Sequence, residues 1–90
     1  MIMKNMKEHV EKEKLLLELE QQFIEDFVKL RKGIHITQQE MANRAGVIRE
    51  TIARIENCIT SPQLKTLIKV LEPLGYTVKI EKINNTKKDD

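Results

Sequence analysis

From Leu15 onward, apolar residues recur at steps of three and four: Leu16, Leu19, Phe23, Phe27 and Leu30, with Ile24 and Val28 widening the stripe. Glu18, Gln22, Asp26 and Lys29 lie opposite. This period predicts an amphipathic helix that ends near Gly33 and turns its stripe to a core. A coiled-coil seam is the other reading of such a stripe, but it would need three to four heptads. Residues 1–14 are charged and only weakly periodic, so they read as a flexible or short helical segment outside the domain.

The next pattern occupies TQQEMANRAGVIRETIARIE, residues 37–56. Thr37 followed three residues later by Glu40 is a capping box, which starts a helix near Gln38. In that helix Met41 and Ala45 share a face, and the small Ala42 lets a second helix approach. Gly46 can adopt the positive φ of a helix C-cap, and Val47 can fold back as an apolar contact. A second short helix follows over about 48–57, with Ile52 and Ile55 on one face and Arg49, Glu50, Ala53 and Arg54 on the others. An ordinary helical hairpin is the plainer alternative. The cap, the small residue, the turn glycine and five apolar positions falling in register favour a helix-turn-helix.

Ser61-Pro62 then supplies an N-cap with proline at the first helical position, predicting a helix over about 62–74 with Leu64, Leu67, Ile68 and Leu71 inward. Pro73 should kink or end it, and Gly75 completes the stop. Beyond it the period changes to two, with Tyr76, Val78 and Ile80 alternating with Thr77, Lys79 and Glu81. That alternation predicts a strand. A lone strand leaves its backbone unpaired, so the expectation is antiparallel pairing with a second copy, making Tyr76, Val78 and Ile80 dimerisation residues. The alternative is an extended tail against the helices. Residues 84–90, NNTKKDD, read as a disordered tail, leaving 15–83 as the folded domain. The expected class is therefore mainly α, with one C-terminal β-strand pairing across a dimer.

Ninety residues allow one small domain with a limited core, for which oligomerisation adds stability. The single cysteine, Cys58, excludes an internal disulfide, and nothing resembles a signal peptide or a long apolar span. A soluble, cytoplasmic chain without a membrane role is expected. The net charge of +2 says little, but its distribution says more. Residues 1–28 carry four lysines against seven acids, whereas residues 29–57 carry six basic residues against three acids. His9, His35 and Cys58 have no metal-ligand spacing, and no phosphate loop, nucleophile-base set or catalytic carboxylate pair is evident. No enzyme activity, metal or cofactor is expected.

The segments TQQEMA, AGV, IARIEN and SPQLKTL, within residues 23–83, resemble the Xre-type helix-turn-helix family, which includes phage repressors and Cro proteins. The closing Leu-Gly-x-x-Val-x-Ile is similar to its HigA-type antitoxins. The resemblance implies a lambda-repressor-like helical bundle whose second motif helix enters the major groove of double-stranded operator DNA. By position it assigns base contacts to Arg49, Glu50 and Arg54, with Arg49 suited to guanine and Glu50 to a cytosine amino group. Phosphate contacts fall to Gln38, Thr51 and Asn57, with Arg31, Lys32 and Arg44 adding less specific charge. Arg31 is more simply read as the partner of Glu56 in a structural ion pair. The implied function is a repressor that autoregulates a toxin-antitoxin operon as a homodimer. The acids between Glu8 and Asp26 either face a basic ribonuclease toxin or form a solvated helix face. A toxin-neutralising inhibitor, or a phage-type or restriction-modification regulator without a toxin, are the alternatives. Two residues depart from the family: Ile48, where a capping side chain is usual, and Cys58, where glycine is usual.

Overall fold

A computed structural model describes residues 2–59 and 61–83, with side chains described from Val10 onward except at Thr60. Four helices follow one another: α1 (Ile2–Ile34), α2 (Gln38–Ala45), α3 (Arg49–Glu56) and α4 (Leu64–Leu71), closed by a 3-10 turn at Glu72–Leu74. α2 and α3 form the helix-turn-helix, and the carboxyl-terminal part of α1 and α4 close around them. The core is made by Ile24 and Phe27 of α1, Ile36, Met41, Ala42 and Ala45 around α2, Ile52 and Ile55 of α3, and Val70 and Leu71 of α4. Met41, Ala42, Ile52 and Val70 have no exposure at all. No helix among the described residues is long and apolar enough to cross a membrane.

α1, α2, α3 and the 3-10 turn that follows α4 end by the same device. The residues His35, Gly46, Cys58 and Gly75 all have positive φ, between 55° and 87°. After each, the following amide reaches five residues back: Ile36 to Arg31, Val47 to Ala42, Ile59 to Arg54 and Tyr76 to Leu71, at 3.0–3.4 Å. This is the Schellman closure, which satisfies carbonyls that the last turn leaves orphaned. α1 therefore continues through Gly33, and His35 makes its left-handed stop.

Three expectations about packing are corrected. The C-terminal β-strand is absent: residues 76–83 carry neither strand nor helix, and among the described residues every regular element is helical. Alternation alone cannot make a strand, because its backbone groups need a partner and the described residues of the single chain supply none. Of Tyr76, Val78 and Ile80, only Val78 packs against the core, while Ile80 is 97% exposed. The apolar stripe of α1 also divides. From Phe23 onward it is core or packs against it, but Leu16 and Leu19 are exposed because α1 outruns the other helices. α4, finally, starts at Leu64 behind an uncapped Gln63 and buries Val70 and Leu71, leaving Leu64 and Ile68 exposed. Ser61 does not cap α4; its hydroxyl donates to Glu20 Oε2 of α1 at 2.6 Å.

Candidate nucleic-acid interface

The two motif helices are held by complementary local signals. At the start of α2 the full capping box forms: Glu40 N donates to Thr37 Oγ1 at 3.0 Å and Thr37 N to Glu40 Oε1 at 2.8 Å. Gly46 then turns the chain with φ 73°, and Ile48 enters α3 in extended geometry. Ile48 provides no side-chain cap, so only its carbonyl serves, accepting from Thr51 N at 3.0 Å. Burial of Ile52 and Ile55 fixes the rotation of α3 about its axis. With a helical period, that rotation turns Arg49, Glu50 and Arg54 outward, and all three are exposed.

A continuous polar chain runs beneath this surface. Arg31 of α1 grips Glu56 of α3 with two bonds, Nε to Oε2 at 2.7 Å and Nη2 to Oε1 at 3.0 Å, and donates from Nη1 to the Ile36 carbonyl at 2.9 Å. Gln38 Nε2 donates to the same Glu56 Oε1 at 2.9 Å, and Arg49 Nη1 donates to Gln38 Oε1 at 3.1 Å. The Arg31 and Glu56 side chains are only 11% and 7% exposed. Burial pushes the Glu56 carboxyl upward, but hydrogen bonds from Arg31 and Gln38, with the nearby charges of Arg31 and Lys32, hold it below the usual glutamate range. The Glu56 hydrogen bond raises Arg31 further, against a smaller opposing effect of burial. The ion pair expected of Arg31 and Glu56 is thus present as an interhelical clamp.

Arg54 and Glu50, one turn apart on the outer face of α3, approach at 3.5 Å with both side chains more than half exposed. Such a pair holds weakly and leaves both groups available. Thr51 is half-buried on α3 and Asn57 is exposed at its end, where φ of −94° leaves the left-handed position to Cys58. Gln38, Arg49, Glu50, Arg54, Thr51 and Asn57 therefore all belong to the two motif helices or their ends. Tyr76, Val78 and Ile80 lie outside this motif, in the segment that follows the 3-10 turn. The family resemblance gives Gln38 a phosphate contact alone, whereas its side chain also links Glu56 to Arg49. The available signal was chemical: a carboxylate only accepts and a guanidinium only donates, so an amide between them joins both.

A helix-turn-helix with a buried inner face and a polar outer one on its second helix defines the class, and the helix-turn-helix family pattern matches residues 28–80. The chain belongs to this family, in its Xre/Cro-type branch. It is 42% identical over 57 residues to an uncharacterized HTH-type transcriptional regulator of Haemophilus influenzae, a match covering 63% of this chain and 58% of that protein's length. Its structure is similar to that of a toxin-antitoxin module from Streptococcus pneumoniae, with TM-score 0.65, 32% identity, and coverage of 81% of this chain and 80% of the other.

Proposed function

We propose that this chain is a sequence-specific, non-enzymatic DNA-binding transcriptional regulator, acting as a repressor in the cytoplasm. The observation that carries the reading is the outward triad Arg49, Glu50 and Arg54 on the second helix of a packed helix-turn-helix. In this role Arg49 reads a guanine edge, Glu50 accepts from a cytosine amino group, and Arg54 extends the contact. Gln38, Thr51 and Asn57 meet phosphates and set the register. The chain works as a homodimer, which places two copies of α3 on half-sites about 34 Å apart or a multiple of that. Tyr76, Val78 and Ile80 contribute side chains to the contact between copies. The test is selection of bound fragments from the native locus, followed by anisotropy titration at low salt. A single enriched operator, with Arg49→Ala losing base discrimination, is the expected result. Equal binding of all duplexes, or none, overturns it.

A partner protein is part of the same reading. The Streptococcus pneumoniae neighbour is a toxin-antitoxin module, which supports an antitoxin role here: repression of its own operon and neutralisation of a basic ribonuclease toxin. The amino-terminal half of α1 suits such a partner, with Val10, Leu15, Leu16, Leu17 and Leu19 exposed among its acids. Co-expression with the adjoining open reading frame should give co-purification and rescue of growth. A neighbour that is neither toxic nor bound removes the antitoxin role and leaves the regulator.

A further inference from the structure

We propose that Glu56 is a positioning residue for base recognition: it fixes the orientation of the Gln38 amide, and through that amide it aims the Arg49 guanidinium. The inference rests on the reading of α3 as the base-contacting helix. Glu56 and Arg49 stand at opposite ends of α3, seven residues and about 10 Å apart along the axis. Gln38, at the start of α2, bridges them.

The direction of the bridge follows from donor and acceptor chemistry. The two ends of a glutamine amide have nearly the same shape, so space alone does not choose between them. Glu56 can only accept, which turns Nε2 of Gln38 toward it at 2.9 Å. Oε1 must then point the other way, and there it accepts from Arg49 Nη1 at 3.1 Å. Arg31 completes the device by clamping Glu56 through both carboxylate oxygens while anchored to the Ile36 carbonyl. Arg49 would otherwise sample many rotamers on an exposed helix face, and ordering it before DNA arrives reduces what binding must order. The clamp that joins α1 to α3 thus sets what α3 reads.

The experiment measures ratios of affinities, because partial unfolding lowers every affinity by the same factor. Wild-type protein first selects duplexes from a pool randomised over about three helical turns. The enriched duplex and its single-base-pair variants are then titrated with wild type, Arg49→Ala, Glu56→Gln, Gln38→Met and the Arg49→Ala/Glu56→Gln double variant. Glu56→Gln should lose roughly tenfold discrimination at the base pair where Arg49→Ala also loses it. It should lose nothing further at that base pair when Arg49 is already alanine. Affinity for unrelated duplexes, corrected for the folded fraction, should not change. An unaltered ratio at that base pair makes Glu56 a structural partner of Arg31 and overturns the proposal. Where Glu56→Gln does not fold, Gln38→Met cuts the same chain at its middle link, and full discrimination by that variant overturns it equally. Absence of any enriched duplex for wild type is a different failure, that of α3 as the base-contacting helix.

Discussion

Cys58, with φ of 55°, occupies a conformation in which a β-carbon crowds the following carbonyl, and His35, with φ of 66°, does the same at the end of α1. Glycine removes that crowding but loses more freedom on folding, so Cys58→Gly and His35→Gly should each raise stability by roughly 0.5–1 kcal/mol, read as a higher urea midpoint. Ile48 caps α3 with no side-chain bond and is 66% exposed, so Ile48→Ser should add about 1 kcal/mol without disturbing the core. Glu56 gives the pH dependence. Its folded pKa is depressed, so its contribution is present above the unfolded glutamate value of about 4.3 and is lost as pH falls through the folded one. Chemical denaturation at pH 7 and again below pH 4 should show this loss in the wild type and a smaller one in Glu56→Gln. Breaking the clamp outright with Glu56→Ala should cost about 2–3 kcal/mol at neutral pH, between the exposed and the fully buried cases.

At the scale of elements, α1 is two helices in one. Its carboxyl-terminal part buries Phe27 to 2% exposure, so Phe27→Ala should cost about 3–5 kcal/mol, enough to threaten so small a fold. Leu17, at 60% exposure on the same helix, should tolerate glutamate within about 0.5 kcal/mol, and thermal melts of the two variants separate the halves. The motif helices were the most legible in sequence, because Thr37, Glu40, Gly46, Ile52 and Ile55 act through local rules of capping, turning and period. α1 and α4 were less so. A helical stripe tells which face is apolar but not where the neighbouring helices stop, so Leu16 and Leu19 read as core although both are exposed. On α4 the same rule chose Leu64 and Ile68 over Val70, since the direction of the core is a tertiary fact. The period of two at residues 76–80 misled for a related reason: side-chain alternation is local, whereas strand pairing is not. In the candidate site the placement of Arg49, Glu50 and Arg54 on the outer face of α3 was legible, but the bridge from Glu56 to Arg49 joins positions 38, 49 and 56 only once α2 crosses α3.

For the whole molecule, the uneven charge separates an acidic amino-terminal segment from the basic region that carries α2 and α3. Binding through that region should weaken steeply as salt rises, because phosphate neutralisation releases counterions. Arg44→Ala, altering an exposed charge near the end of α2, should weaken all duplexes alike and lower the salt slope by about 1 per subunit. Assembly has its own test: Ile80→Glu should shift the proposed dimer toward monomer without unfolding either. How that shift is measured matters, because α1 alone is about 50 Å long and the molecule extends over 51 × 30 × 18 Å. Its radius of gyration of 16.2 Å exceeds the roughly 12 Å of a compact chain of this length. A rod-like projection of that size increases friction with solvent, so a single copy will leave a gel-filtration column ahead of globular standards of equal mass. Counting subunits therefore requires light scattering or sedimentation equilibrium, which weigh the particle without regard to its outline.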